Sequence, residues 1–262
     1  KKDIVKLNEI KKIFDNNKID LVIHLAAQAG VRHSLENPKK YIDTNLVGFF
    51  NLISLSKDKK IKHFTYASTS SVYGDSKKFP LKEKNNTDNP LSLYAATKKS
   101  NELIAHSYSA NYNLPTTGLR FFTVFGPYGR PDMALFKFTK NILNNKFLDL
   151  FNHGKHQRDF TYIDDVVESL YKIVFKIPKK TIPFEIFNIS SNNPHKLKYF
   201  LKIIEKKLGK KSKINKLGLQ IGDVYKTHGS NSKLIKKIKY KPKNDIVDGI
   251  NKFINWYKDF YK

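Results

Sequence analysis

"KHFTYASTSSVYG", residues 62–74, begins as an apolar run and ends in a cluster of hydroxyl side chains and a glycine. A short, nearly continuous apolar run of this kind is expected of a strand covered on both faces. Two other stretches have the same form. "IDLVIHLAA" (19–27) precedes it, and "PTTGLRFFTVFGP" (115–127) follows it, closed by Gly and Pro. Between them lie "PKKYIDTNLVGFFNLISLSK" (38–57), with helical periodicity and a proline near its start, and a second helical stretch over 91–111. "LNEIKKIFDNN" predicts one more helix near the start of the chain. Strand alternating with helix predicts an α/β fold with a doubly wound parallel sheet. Ligands of such sheets sit beyond the carboxyl ends of the strands. The polar clusters "AAQAGVR", "STSSVYG" and "FTVFGPYGRPD" all fall at those ends, so a site is expected there.

Past residue 127 the order loosens. A helix is expected around 132–146, then a short strand, a Gly turn, and a helix opened by Asp164 and Asp165. "FEIFNIS" (184–190) reads as a strand and 195–208 as a helix. The remainder, 209–262, predicts one Gly-rich turn and two short amphipathic helices. The Lys-rich stretch 205–216 reads as a solvated helix end.

Composition narrows the function classes. With 262 residues the chain can bury a substantial core, as one large domain or one domain with a smaller appendage. The absence of Cys excludes disulfides, thiolate chemistry and zinc-ribbon sites, and no metal site is expected. No apolar run approaches a membrane span and no signal peptide shows, so a cytoplasmic protein without a membrane partner is expected. The net charge of +26 suggests nucleic acid at first sight. Its makeup argues otherwise. Only Arg32, Arg120, Arg130 and Arg158 are arginines, and the other 45 basic residues are Lys spread along the whole chain. Where charge alone is needed this chain uses Lys, so each Arg is a candidate for bidentate work that Lys does poorly.

"LYAATKKSNELIAHSY" (93–108) sets Tyr94 and Lys98 four residues apart, on one helical face. A nearby cation favours the phenolate, so such a pair can transfer a proton near neutral pH. The spacing alone is weak evidence, since about two such pairs are expected by chance. Tyr73 and Lys77 form another.

The wider constellation is more specific. Thr69 with "SVYG" after it, then "YAATK" on the next helix, resembles the extended short-chain dehydrogenase/reductases, the NAD-dependent epimerase and dehydratase family. "VIHLAAQAGVRHSLENPKKYIDTN", "LRFFTVFGPYGRPDMALFKFTK", "HQRDFTYIDDV" and "GDVYKT" extend the resemblance over nearly all the chain. Within the family, the subgroup acting on UDP-glucuronate is the most similar. The resemblance implies a Rossmann fold that keeps NAD bound, with Thr69, Tyr94 and Lys98 as the catalytic residues. It also implies cofactor contacts from Asp3, Ile4, Leu25, Ala26, Ala27, Gln28, Thr44, Asn45 and Phe122. Arg158 matches a ligand of the UDP phosphates and Asp223 a uridine-ribose contact. Thr123, Ser70, Ser71 and Arg130 are candidates to hold the substrate carboxylate, with Arg32 in the substrate shell or supporting it. Arg120, mid-strand, reads as structural, and His24 as a core histidine. A 4,6-dehydratase of this family carries Asp-Glu after its triad Thr, where this chain has Ser70 and Ser71.

The expected activity is 4-epimerisation of a UDP-sugar, UDP-glucuronate to UDP-galacturonate, by a homodimer. Other UDP-sugars, UDP-glucuronate decarboxylation, or an inactive nucleotide-sugar-binding fragment are the alternatives. Residues 1–127 are expected to form part of the NAD-binding domain. Residues 128–262 are expected to be mainly substrate-binding, with segments around 160–190 returning to the Rossmann sheet. The family's G-x-x-G-x-x-G loop is nowhere in the 262 residues, and "KKDIVKLNEI" resembles the segment after the family's third strand. The chain is therefore expected to lack about 50–60 residues that carry the pyrophosphate site, and to bind NAD poorly by itself.

Overall fold

The computed structural model describes residues 2–220 and 222–261. Its strands are β1 (Leu21–His24), β2 (His63–Thr69), β3 (Thr116–Phe121), β4 (Thr123–Phe125), β5 (Phe147–Leu150), β6 (Gln157–Tyr162), β7 (Phe184–Ile189), β8 (Pro194–Lys196) and β9 (Lys213–Lys216). The helices are α1 (Leu7–Asn16), α2 (Val31–Glu36), α3 (Pro38–Tyr41), α4 (Gly48–Asp58), α5 (Leu93–Tyr112), α6 (Ala134–Leu143), α7 (Ile163–Val174), α8 (Leu197–Leu208), α9 (Ser232–Ile238) and α10 (Ile246–Phe260).

β1, β2, β3 and β7 form a parallel sheet in the order β1-β2-β3-β7. Each apolar run foreseen as a doubly covered strand supplies one of its members. The period of two divides the side chains between two cores. Phe64 and Tyr66 of β2 pack with Phe49, Ile53 and Ala105 from α4 and α5. Leu119 of β3 and Phe187 of β7 face the other way, against Val166 and Ile173 of α7 and Leu234 of α9. Gly118 fits this order because a Cβ there would stand 2.7 Å from the Tyr66 hydroxyl. Along β1, Ile23 is about half exposed at 46%, as is Leu25 just beyond the strand at 49%.

"PTTGLRFFTVFGP" does not form one strand. The chain leaves the central sheet at Phe122, whose N–H still donates to the Ile189 carbonyl at 3.0 Å. It then enters a second sheet, β4-β6-β8, with β4 and β6 parallel and β8 antiparallel to β6. β6, in "HQRDFTY", is a strand that the periodicity did not reveal. β5 and β9 form a separate parallel pair, so Lys213–Lys216 is a strand and not part of a solvated helix end. α6, α8 and α10 enclose a third core around Phe136, Phe160, Phe200 and Phe253, with Phe160 and Phe200 stacked at 4.3 Å.

Three local devices fix the site. α5 starts at Ser92, whose hydroxyl accepts from the Ala95 N–H at 3.2 Å, so Tyr94 falls in the first turn. The helical stretch 38–58 is continuous but not uniform, because Ile42–Val47 is a π-helical segment. Asp165, buried in the first turn of α7, accepts from the Lys243 and Asn244 N–H groups at 3.1 Å each and ties down the entry to α10.

Candidate active site

Thr69, Tyr94 and Lys98 lie around the carboxyl end of β2. Thr69 ends that strand and caps the 3-10 turn Ser70–Tyr73, its hydroxyl donating to Ser71 Oγ and accepting from Ser71 N–H, both at 3.2 Å. Burial pushes the Tyr94 phenol up, while the Thr69 hydroxyl and the Arg130 guanidinium pull it down. Thr69 and Arg130, from different elements, therefore both act on the Tyr94 phenol. Lys98 is 2% exposed, and burial lowers its ammonium to about 8 against the opposing pull of Glu102. The resolved influences on the phenol therefore differ from the sequence expectation, which gave that role to Lys98. Among the described residues no group hydrogen-bonds the Lys98 ammonium.

The competing pair does not assemble. The Tyr73 phenol is buried, donates to Asn188 Oδ1 at 2.7 Å, and is pushed up to about 12. Lys77 is exposed and pairs with Asp75 at 2.6 Å.

Arg130 stands on the other side of Tyr94. Its Nε and Nη2 donate to the two oxygens of Asp132 at 3.0 and 2.7 Å. Thr123, Gly126, Gly129, Arg130 and Met133 line a small pocket beside it. Gly30, at φ +111, comes close to both Arg130 and Tyr41: a Cβ there would stand 3.9 Å from Arg130 Nη2 and 3.6 Å from the Tyr41 hydroxyl. Tyr41 meets Tyr94 edge-on at 6.2 Å between ring centroids. Its hydroxyl lies 2.9 and 2.8 Å from the Ala29 and Gly30 carbonyls. Ser70, Ser71 and Thr123 are half-buried at the same strand ends.

The exit of β1 is shaped by Asn45. Its Oδ1 accepts from Gln28 N–H at 2.8 Å, and its Nδ2 donates to the Gln28 carbonyl and to Thr97 Oγ1 at 3.0 and 3.1 Å. The amide is fully committed, so Asn45 acts on the loop Ala26–Ala27–Gln28 rather than reaching out from it. Thr44 is half-buried one residue earlier, and Ala26 is exposed. The Phe122 ring turns inward, packed with Val72, Tyr73 and Leu81. Asp3 caps its own turn by accepting from Val5 N–H at 3.0 Å, and the Ile4 carbonyl accepts from Asn51 of α4 at 2.9 Å. His24 is 4% exposed, between the Phe49 and Phe64 rings, and is pushed down to about 3 by burial and by Lys98.

A second group of charges forms on β6 and the loop after β9. Arg158 donates to Asp223 at 2.7 Å and to the Gln157 and Tyr225 carbonyls. His156 lies 3.4 Å from the other Asp223 oxygen, without hydrogen-bond geometry. Its imidazolium is disfavoured by burial, then by Arg158, with Arg32 adding to this and Asp223 opposing it. The Arg32 guanidinium lies over the Phe151 ring at 4.4 Å. Arg32, Arg158 and Asp223 thus belong to one electropositive cluster, with His156 as a member that sequence reasoning missed. Tyr41 and Glu102 were missed as well. Only Glu102 had a visible signal, standing four residues after Lys98 on the same helix.

Comparison with known proteins identifies the family. The NAD dependent epimerase/dehydratase family matches residues 1–190. The chain is 50% identical to Protein CapI of Staphylococcus aureus, over 97% of this chain and 80% of that protein. It is 45% identical to a probable UDP-glucuronate 4-epimerase of Rhizobium meliloti (strain 1021), over 93% and 76% respectively. Its fold superposes with a TM-score of 0.92 on the UDP-glucuronic acid 4-epimerase of Bacillus cereus, solved with UDP-glucuronic acid and NAD. The two share 34% identity over 99% of this chain and 81% of that one. By its sequence and by its fold, the chain belongs to the NAD dependent epimerase/dehydratase family.

Proposed function

We propose that this protein is an NAD-dependent 4-epimerase of a UDP-sugar, converting UDP-glucuronate to UDP-galacturonate through a 4-keto intermediate. The observation that carries the reading is the placement of Thr69 at the end of β2 and Tyr94 in the first turn of α5, on a fold that superposes on a UDP-glucuronic acid 4-epimerase. In this reading the Tyr94 phenol is the proton acceptor, and the Arg130 guanidinium that acts on it is suited to a carboxylate.

The residues at the strand ends fit the nicotinamide half of NAD. The buried ammonium of Lys98 suits a ribose diol, and the exposed Ala26 leaves room for close approach. When bound, NAD supplies the acceptor for the C4 hydrogen and returns it. Leu25, Ala27, Gln28, Thr44, Asp3 and Ile4 complete the cofactor side in this reading, with Asn45 and Phe122 shaping it from behind.

Tyr94 takes the 4-hydroxyl proton and gives one back after the sugar turns over. Thr69 hydrogen-bonds the reacting oxygen, and Lys98 supplies positive charge behind the phenol. The 4-keto sugar acid is a β-keto acid, which loses CO₂ if its carboxylate bond aligns with the ketone π system. Arg130, with Thr123, Ser70 and Ser71, holds the carboxylate out of that alignment. Arg158 and Arg32 receive the diphosphate, and Asp223 the uridine ribose. Neither Ser70 nor Ser71 can do the acid–base work of a 4,6-dehydratase.

Residues 1–127 then serve mainly the cofactor and 128–262 mainly the sugar nucleotide, with segments around 160–190 returning to the Rossmann sheet. The protein acts in the cytoplasm as a homodimer. That dimer forms through α4 and α5, where Phe50 and Leu103 expose apolar side chains.

The test is to incubate the protein with NAD and either UDP-glucuronate or UDP-glucose, and to identify products from the sugar ring protons by NMR. UDP-galacturonate from the acid is expected. Turnover of UDP-glucose alone would keep Thr69, Tyr94 and Lys98 in their roles and refute those of Arg130 and Thr123.

A further inference from the structure

Tyr94 and Lys98 continue into a third member on the same face of α5. Glu102 stands one helical turn beyond Lys98 and is 3% exposed. Its carboxylate is fixed from three elements. The Ser68 hydroxyl of β2 donates to Oε1 at 2.6 Å. Arg120 of β3 donates through Nε to Oε1 at 2.8 Å and through Nη2 to Oε2 at 2.7 Å. Arg120 is itself held by the Glu83 carbonyl at 3.1 Å and by the Tyr73 ring at 4.8 Å.

Such a sealed pair adds little net stability over apolar residues of the same volume, because desolvation offsets the attraction. Its position supplies another reason for it. The other groups around Lys98 give its charge no support. His24 of β1 is held neutral by burial and by Lys98 itself. The Tyr66 phenol of β2 is buried and stays protonated, with Glu102 as an added cause. Tyr94 is raised by burial. Arg120 is a cation. Among the described residues, Glu102 supplies the resolved negative charge that acts on Lys98.

We infer that Glu102 is a positioning residue that keeps Lys98 in its ammonium form, with Arg120 and Ser68 fixing where its negative charge sits. The inference rests on the proposed roles of Tyr94 and Lys98 and extends the reacting row by one helical turn. In this arrangement Arg120, read from the sequence as structural, also serves the site through Glu102.

The test reads Lys98 directly. Protein labelled with ¹³C at lysine Cε is titrated by NMR, and the Lys98 signal is assigned by its loss in Lys98→Arg. The variants are Glu102→Asp, Glu102→Gln, and Glu102→Gln combined with Arg120→Leu. The double variant removes the pair as a unit, so it remains informative if the single Gln variant fails to fold around an unpaired Arg120. Lys98 should titrate near its native value in Glu102→Asp and about one pH unit lower in the double variant. The alkaline limb of the kcat profile should move down with it, leaving KM little changed. A native Lys98 titration in the double variant overturns the inference. If the native protein epimerises no UDP-sugar, the functional reading fails instead, and the NMR titration still decides the role of Glu102.

Discussion

Arg120 and Arg130 make the same chemical contact and are used in opposite ways. Each grips one carboxylate with Nε and Nη2, at 2.8 and 2.7 Å to Glu102 and at 3.0 and 2.7 Å to Asp132. The first pair joins β3 to α5 with side chains 5% and 3% exposed, and the second joins neighbours two residues apart with side chains 45% and 57% exposed. Fork geometry is therefore not what decides the role of an arginine here. Burial decides it. A sealed carboxylate cannot exchange without leaving a buried charge unpaired. A solvated one can give way to another anion of the same shape at little net cost. In the proposed reading, Asp132 occupies the position that the substrate carboxylate takes on Arg130. The Arg158–Asp223 pair, 16% and 26% exposed, stands between the two.

The largest effect that would test this contrast is on folding. Arg120→Leu leaves Glu102 buried and unpaired and should cost about 3–5 kcal/mol in urea unfolding. A loss near that of an exposed pair would end the distinction. Arg130→Leu should change stability by less than about 1 kcal/mol. It should nevertheless lower kcat/KM for UDP-glucuronate about 100-fold, as expected for a lost charged hydrogen-bond pair. Turnover of a neutral UDP-sugar should fall less, through the Tyr94 phenol alone, and equal losses on both would argue against the carboxylate role.

His156 sharpens the intermediate case. Its pKa lies below the ordinary value in the free protein because of burial, Arg158 and Arg32. A bound diphosphate would partly neutralise the arginines and raise it, so binding takes up a proton. UDP should therefore bind about fivefold tighter at about pH 6 than at about pH 8, and His156→Gln should flatten that dependence in calorimetry. The smallest effect belongs to Asp132→Asn. Stability should stay within about 0.5 kcal/mol, while KM for UDP-glucuronate should fall as the internal competitor is lost. A rise in KM would show that Asp132 supports Arg130 in its working position.

Much of this was legible because apolar periodicity and strand-end polarity are local signals. The runs around Phe64 and Leu119 announce buried parallel strands, whereas the run around Val22 forms a parallel strand that stays half exposed at Ile23 and Leu25 instead of being covered on both faces. The roles expected of Thr69, Tyr94 and Arg130 come from the family resemblance. The limits are equally local. "KINK", residues 213–216, is exposed along its length, so no apolar alternation distinguishes it from a helix end. "HQRDFTY" hides β6 because the polar half of the strand is occupied by Gln157, Arg158 and Asp159, each with partners from distant loops: Tyr225 and Thr227 for Gln157, Asp223 for Arg158 and Ser191 for Asp159. Phe122 looks like one more strand residue because leaving one sheet for another takes a single backbone step. His156 and Tyr41 join the site through tertiary packing, and although each stands within three residues of a predicted site residue, Arg158 and Thr44, nothing in the side chains themselves marks the contact.

The π-helical segment Ile42–Val47 has a consequence for how this protein tolerates change. A wider turn inserts extra rotation between the α-helical turns on either side of it. Tyr41 and Asn45 consequently reach the site from a helix whose later turns are locked into the core by Phe49 and Ile53. Deleting one residue within the segment would restore regular winding and swing Tyr41 about 100° around the helix axis. Substitutions at the exposed positions Ile42 and Val47 would leave that geometry alone. At this helix, the protein is more sensitive to the number of residues than to their identity.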